Sequence, residues 1–331
     1  MKGDHAMEPL KLLPAFQDYI WGGTRLREEY GKPCGLERVA ESWELSCHPA
    51  GESVIMNSVY KGQTLKSYLE QDWAARVGEG AARHSAFPVM IKLIDARQDL
   101  SVQVHPDDRY ARIHENGENG KTECWYVMDC DEGAALACGF NRKLTKEEFR
   151  SAIEQGTVLD CMQLVPVKKG DVFFIEAGTL HAIGAGILIA EIQQSSNLTY
   201  RVFDYDRLGT DGKPRELHID KAVDVTKTWP APPRRNIPLT DYQGYSVALL
   251  ADCPYFTVTE LHITEGAAFP ASAGRSYTHL LCTDGEAVLV YDNGVAMPVV
   301  KGDSLFLPAN FGAYSLRGKH CTFLCTQTLP R

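Results

Sequence analysis

Gly170-Asp171-Val172-Phe173-Phe174-Ile175-Glu176-Ala177-Gly178-Thr179-Leu180-His181 and Gly302-Asp303-Ser304-Leu305-Phe306-Leu307-Pro308-Ala309-Asn310-Phe311-Gly312-Ala313 are two copies of one pattern. Each reads as a Gly-Asp turn, an apolar strand and a second turn of small residues. Gly and Asp make such breaks because one reaches positive φ freely and the other hydrogen-bonds its own backbone. Self-similarity of this kind is a fold-level signal, and two copies indicate a duplication rather than a solenoid. The copies differ in their last residue: His181 in the first stands where the second has Ala313.

His181 gains meaning from an earlier stretch, Leu100-Ser101-Val102-Gln103-Val104-His105. Side chains two apart on a strand share a face. Ser101, Gln103 and His105 therefore project one way, and Leu100, Val102 and Val104 the other. A strand that is apolar on one side and carries Ser, Gln and His on the other is not plain core. Lys121 and Glu123, in Gly120-Lys121-Thr122-Glu123-Cys124-Trp125, form a second same-face pair. The imidazoles of His105 and His181, the Glu123 carboxylate and the Gln103 amide oxygen suit a divalent metal such as Zn²⁺. One ion per chain is expected, with coordination positions left for water or substrate. A nitrogen/oxygen site of that kind is catalytic in type more often than structural. Taken singly, each residue is more often an ordinary surface or hydrogen-bonded side chain. Neither HExxH nor CxxC is present, so the weight rests on the combination.

The first repeat segment resembles the second cupin motif, a turn-strand-turn ending in a metal-binding His, with Glu176 where that motif usually has Pro. The second segment keeps Pro308 but has Ala313 at the His position. The resemblance implies a mainly β chain of two cupin-like jelly-roll barrels. A few helices are inserted in the N-terminal half, and only the first barrel holds metal.

A chain of 331 residues is long enough for two domains. A formal net charge of −9, with no basic run beyond Arg234-Arg235, argues against nucleic acid as partner. The ten Cys show no zinc-ribbon spacing, and Cys321 and Cys325 are expected within one strand. Reduced thiols of a cytoplasmic protein are the favoured interpretation. With no basic start followed by an apolar stretch, no signal peptide is expected, no run approaches a membrane span, and the polar Met1–Ala6 is expected to fray.

Short strands broken by Gly, Pro and Asn-Gly turns fill most of the chain, among them Phe87–Ile94, Leu100–His105, Cys124–Asp129, Gly186–Gln193 and Thr257–Ile263. Asp292-Asn293-Gly294 marks a hairpin. One helix is expected to follow Leu144, with Thr145 as N-cap, Glu148 as capping-box partner and a Leu144–Phe149 staple, stopping at Gly156. A second is expected over Thr64–Arg83, with Leu65, Tyr68, Leu69, Trp73 and Val77 as its core stripe. The Pro-rich 230–238 reads as a linker. It divides a metal-binding catalytic domain, 1–229, from a metal-free barrel, 239–331.

Tyr19-Ile20-Trp21-Gly22-Gly23, Glu41–Ser46, Ser101–Asp108, Gly120–Trp125, Ala177–His181 and Glu191–Arg207 resemble, in order, the signatures of type I phosphomannose isomerases, nearest the short bacterial form. The resemblance implies a zinc-dependent aldose–ketose isomerase that interconverts mannose 6-phosphate and fructose 6-phosphate. The implied zinc ligands are Gln103, His105, Glu123 and His181, and the implied active-site arginine is Arg201. Lys92, Ser101, Lys121 and Glu191 match further active-site positions. Asn197 stands where the family often has Asp.

Such an isomerase moves a proton from C2 of the open-chain sugar to C1 through an enediol. Glu191 and Lys121 are the candidate bases, and Lys121 is equally suited to be a fixed cation. Arg201 suits an oxyanion or a sugar oxygen, its structural alternative being an ion pair with Asp204 or Asp206. Ser101 and Lys92 are candidate phosphate ligands. Asp107 and Asp108 suit a turn cap better than a metal, and His48 suits a rim position. Trp21, Trp43 and Trp125 are candidate walls of a sugar pocket, with packed core the expected fate of at least one. Two rivals stand beside this: a non-catalytic cupin that senses a sugar phosphate, and a metal-dependent dioxygenase, against which Gln103 in place of a His counts.

Overall fold

A computed structural model describes residues 7–209, 212–231 and 237–331. The chain is mainly β, with a few helices. One antiparallel sheet has six strands in the order Val172–Ile175, Glu123–Cys130, Ile187–Gln194, Val89–Ala96, Glu41–Leu45 and Ala15–Gln17. A second has five: Met162–Pro166, Ala135–Phe140, His181–Ala182, Val102–Val104 and Tyr200–Phe203. These two lie face to face. Ile94, Trp125, Phe173, Ile187 and Ile189 of the first meet Leu136 and Cys138 of the second in one apolar cluster.

Alternation along each strand then assigns the outer faces. On the five-stranded sheet, Val102, Val104, Ala182, Tyr200 and Val202 pack under the helices Lys146–Glu154 and Ile219–Val225. On the six-stranded sheet, Val89, Ile91, Leu93, Leu188, Ala190 and Ile192 pack on Leu250, Val258, Leu281, Phe306 and Leu324. The latter belong to an eight-stranded sheet: Thr240–Tyr242, Tyr245–Asp252, Thr257–Ile263, Cys321–Gln327, Thr278–Asp284, Ser304–Leu307, Leu10–Leu13 and Val54–Ile55. Its far face and a four-stranded sheet of later residues enclose a last core of Leu280, Leu289, Leu305, Leu316 and Phe323. The N-terminal strand thus pairs within the sheet of the second half, with Leu10 opposite Phe306.

Local chemistry explains most elements. Thr145 Oγ1 accepts from Glu148 N at 3.1 Å while Thr145 N donates to Glu148 Oε2 at 2.7 Å, and the chain leaves this helix through Gly156 at φ +70°. The Asp292–Gly294 turn joins Glu286–Tyr291 to Val295–Val300, as the Asn-Gly pair implied. The single helix expected over Thr64–Arg83 is two, Leu65–Glu70 and Trp73–Ala82. Buried Arg76 reaches back to the Tyr68 carbonyl, which also accepts from Gln71 N at 3.2 Å, and stacks 3.8 Å from the Tyr68 ring centroid, so a side chain joins in closing the helix end. Gly78, at φ +82°, breaks the second helix where a Cβ would press on Ser276 and Ala309. The expected core stripe holds: Leu65, Tyr68, Leu69 and Val77 are buried and Trp73 packs beside them. Helices Asp108–His114 and Ile219–Val225 were not anticipated. Residues 232–236 of the expected linker, with Arg234-Arg235, and the expected frayed start Met1–Ala6 lie outside the described residues. All ten cysteines are free, and no helix of the described residues is long and apolar enough to cross a membrane.

A buried ion pair ties the halves. Lys32 Nζ lies 2.6 Å from Glu44 Oε1 and donates to Gly302 O at 2.5 Å, while Ser304 Oγ donates to Glu44 O at 2.9 Å. Glu44 Oε2 accepts no hydrogen bond among the described residues, and burial pushes its carboxyl above the usual range. Removing one member strands the other charge. Lys32→Met should therefore cost about 3–5 kcal/mol in urea unfolding. Adding Glu44→Gln, which removes the stranded charge, should recover much of it.

Candidate active site

The polar end of the space between the six- and five-stranded sheets is built by register. Trp43, Lys92, Glu191, Trp125 and Phe173 stand opposite one another across successive strands of the six-stranded sheet. Glu41 and Glu123 lie two residues before Trp43 and Trp125, on the same face. In the facing sheet, Gln103 pairs with His181 on one side and Arg201 on the other. His105 follows that central strand by one residue.

His105, Glu123 and His181 are fully buried and bring ligand atoms within 4.8 Å of one another. His105 Nε2 is 3.3 Å from Glu123 Oε1, and His181 Nε2 is 3.9 Å from Glu123 Oε2. Each imidazole turns its other nitrogen to a backbone carbonyl: His105 Nδ1 to Leu198 O at 2.7 Å, and His181 Nδ1 to Thr179 O at 2.9 Å. Those carbonyls only accept, so each Nδ1 carries the proton and each Nε2 lone pair faces the carboxylate. Burial keeps both rings neutral, depressing His105 to about 3 and lowering His181 as well. The Gln103 side-chain amide sits 3.4 Å from His181 Nε2. Glu123 Oε1 accepts no hydrogen bond of regular geometry although it is wholly buried. Two aimed lone pairs, a buried carboxylate and an adjacent amide fit a divalent cation.

A charged row adjoins this cluster. Lys121 Nζ lies 2.5 Å from Glu123 Oε1 and 3.7 Å from Glu191 Oε1. Lys92 Nζ lies 3.2 Å from Glu41 Oε2, 4.0 Å from Glu191 Oε1 and 4.8 Å from the Trp43 ring centroid. The Trp125 indole N–H, at 3.0 Å from each, is shared between Glu123 Oε2 and Glu191 Oε2. The Trp43 N–H donates to Glu41 Oε2 at 2.6 Å. Burial raises Glu123, but Lys121 and the imidazoles outweigh it and hold the carboxyl well below its usual range. Burial and the Glu123 charge push Glu191 up to about 7, against the opposing pull of both lysines. Burial would lower Lys121, yet Glu123 and Glu191 outweigh it and raise the ammonium further.

Arg201 is half-buried at the rim. Its Nε donates to Ser101 Oγ at 3.3 Å and its Nη1 to Glu216 O at 3.0 Å. The anticipated alternative partner, Asp204, is engaged by Arg207 at 2.6 Å and Arg215 at 2.6 Å. Among the described residues Arg201 has no carboxylate partner. Burial, with Arg215 nearby, lowers its guanidinium from the ordinary value.

Trp43 and Trp125 are completely buried donors that orient carboxylates, so the expected open walls of a sugar pocket do not describe them. Trp21 is also buried and stacks on the half-exposed Tyr19, with ring centroids 5.6 Å apart. Asp107 caps the helix Asp108–His114 as expected. His48 meets the edge of Trp43 and lines a cavity of about 690 Å³ with Lys66, Trp73, Glu118, Asn119 and Ser195. No residue of the metal cluster lines that cavity. Three contributors were not singled out from sequence: Glu41, read only as part of a motif, and Arg207 and Arg215, which carried no periodic signal.

Residues 10–132 match the family model described as phosphomannose isomerase type I, catalytic domain, and residues 247–327 match mannose-6-phosphate isomerase, cupin domain. The chain is 40% identical over 311 residues to mannose-6-phosphate isomerase ManA of Bacillus subtilis, spanning 94% of this chain and 96% of that protein. It is also 40% identical to the mannose-6-phosphate isomerase of Streptococcus mutans over the same shares. A crystal structure of the mannose 6-phosphate isomerase from Bacillus subtilis superposes with a TM-score of 0.90, at 35% identity, covering 96% of this chain and 99% of that one. With two-domain matches in order and whole-length relatives at this identity, the chain belongs to the type I phosphomannose isomerase family.

Proposed function

We propose that the chain interconverts mannose 6-phosphate and fructose 6-phosphate, using one zinc ion held by Gln103, His105, Glu123 and His181. The observation that carries this is the buried His105–Glu123–His181 cluster, with both Nε2 lone pairs turned to the carboxylate and Glu191 and Lys121 beside it, in a chain whose relatives bear that name. A divalent ion bound there supplies Lewis-acid polarisation of the sugar carbonyl.

The residues divide the remaining work. Glu191 takes the proton from C2 and returns it to C1, because its carboxyl is placed near neutrality, where a general base works best. As the C2–H bond breaks, its electrons form the C1–C2 double bond and the carbonyl π pair moves onto O1, which gains a proton while the C2 hydroxyl gives one up. Protonation at C1 then leaves the carbonyl at C2. Lys121, held charged between two carboxylates, serves as a fixed donor to a substrate oxygen rather than as the base. Lys92 and Glu41 hold Glu191 in place. Ser101 anchors Arg201, whose remaining donors face developing negative charge or a sugar oxygen. For the phosphate, the rim is a better seat than Lys92, whose charge is consumed by Glu41 and Glu191. There Arg207 and Arg215 share the carboxylate of Asp204, and Arg201 lies near enough to feel both their charges.

We also propose that residues 1–229 form a catalytic jelly roll and 239–331 a metal-free one. The two paired-sheet cores and the separate catalytic and cupin matches support this division. Ten free thiols suit the reducing cytoplasm.

A coupled assay from mannose 6-phosphate to fructose 6-phosphate, with and without chelator, tests the activity. His105→Ala and His181→Ala should each lose metal and turnover together, and Gln103→Ala should lose less metal because a neutral amide contributes less charge. Elemental analysis should give about one ion per wild-type chain. Full occupancy in the double His variant would overturn the ligand assignment.

Arg201→Ala should lower kcat by about 10²–10³ with metal content and melting temperature kept, as for loss of one preorganised electrostatic contact. Arg201→Lys should rescue poorly. Early melting with near-normal turnover would make Arg201 structural instead.

A further inference from the structure

We infer that Asp108 and Tyr255 are positioning residues for Lys121, so that the metal-free half reaches the active site through a chain of hydrogen bonds; this rests on the proposal that Lys121 serves the isomerisation. Residues 118–122, which deliver Lys121 to the site, belong to no helix or strand. A segment without regular pairing needs other partners for its backbone, and these partners are specific. Gly120 N donates to Asp108 Oδ1 at 2.8 Å, Lys121 N to Pro106 O at 3.0 Å, and Thr122 N to Gln194 Oε1 at 2.9 Å. Asp108 Oδ1 also accepts from Gln194 Nε2 at 2.9 Å, so one carboxylate oxygen fixes both flanks of Lys121. Gly120 packs so closely on the Asp107–Asp108 backbone that a Cβ there would collide with it.

The other oxygen of the same carboxylate belongs to the second half. Tyr255 OH donates to Asp108 Oδ2 at 3.0 Å. Tyr255 is itself held, its carbonyl accepting from Thr328 Oγ1 at 3.2 Å and its ring packed on the core between the halves. The path from the second half therefore runs Tyr255 OH, Asp108 carboxylate, Gly120 N–H, Lys121. At its end the Lys121 ammonium contacts Glu123 and lies 3.7 Å from Glu191, so a shift of the segment changes both charge pairs. Displacements near 1 Å at a reacting group cost up to about 10²-fold in rate.

The test compares hydroxyl and carboxyl variants of the full chain in its metal-loaded form. Tyr255→Phe removes one oxygen and should lower kcat about tenfold, with KM nearly unchanged and full metal content. Asp108→Ala should lose more. Asp108→Asn, which keeps an oxygen for Gly120 and Gln194, should recover part of the loss. The control is Tyr126→Phe, which deletes another hydroxyl contact between the halves, Tyr126 OH to Glu260 at 2.5 Å, without touching residues 118–122. It should lower the melting temperature and leave kcat alone. Hydrogen exchange over residues 119–122 should quicken in Tyr255→Phe and not in Tyr126→Phe. If Tyr255→Phe and Asp108→Ala keep kcat within about twofold while Lys121→Ala abolishes it, the positioning role is overturned and the role of Lys121 stands. Equal kcat losses in Tyr255→Phe and Tyr126→Phe would overturn it too, as general loosening of the interface. Near-normal turnover in Lys121→Ala would remove the role of Lys121 itself.

Discussion

Three buried carboxylates crowd one end of the space between two sheets, and the rest of the structure is arranged around compensating them. Glu41, Glu123 and Glu191 are each under a tenth exposed, and an isolated buried carboxylate is unstable unless it is paired, hydrogen-bonded or neutralised. Lys92 and Lys121 stand between them, and two indole N–H groups supply the remaining donors. Three carboxyls against two ammoniums leave the cluster short of positive charge, in keeping with Glu191 being pushed up by burial and the Glu123 charge, and the neutral imidazoles face Glu123 beside the Trp125 N–H. The deficit lies where the imidazole lone pairs converge, so a cation there completes the electrostatics rather than disturbing them. The apolar end of the same space, with Ile94, Trp125, Ile187 and Ile189, keeps water away and strengthens each of these interactions.

The second half repeats the plan without the chemistry. Where the first repeat segment ends on His181, the second ends on Ala313, and the space between its paired sheets is filled by Leu280, Leu289, Leu305, Leu316 and Phe323. Apolar side chains at the inward positions leave no charge for a cation to balance. The duplication therefore shows how little has to change for a site to exist. The strand pattern and turns stay the same, and inward residues at a few alternate positions become charged.

Much of this was legible in the sequence because strand alternation is a hard constraint. Ser101, Gln103 and His105 on one face could point only together, and Lys121 with Glu123 likewise. The capping box at Thr145 and Glu148 was legible because all its partners lie within one turn. What escaped depends on contacts distant in sequence. The kink at Gly78 inside the second of the two helices goes with its close approach to Ser276 and Ala309, and no helical periodicity reports that. Trp43 and Trp125 looked like surfaces for a sugar, yet register brings each indole N–H to a carboxylate across or along the sheet. The ion pair weighed as the structural alternative for Arg201 is not formed with Asp204, whose carboxylate is taken by Arg207 and Arg215.

The second half has a reason to be present beyond any direct contact with the site. The six-stranded sheet is apolar on both faces, and its outer face carries Val89, Ile91, Leu93, Leu188, Ala190 and Ile192. A sheet of this kind must be covered on both sides, and here the eight-stranded sheet covers the outer one. The strands bearing Lys92, Glu191 and Glu123 are those that carry this outer surface. Lys92 and Glu191 therefore alternate with the outward aliphatic residues Ile91, Leu93, Ala190 and Ile192, which the second half buries. Loss of that cover would expose the aliphatic residues and loosen the register that sets Lys92 opposite Glu191 and Glu191 opposite Trp125. The burial energy of one face thus holds the charges on the other at working distance, which is why the second half remains part of the same folding unit, down to the N-terminal strand that pairs within its sheet.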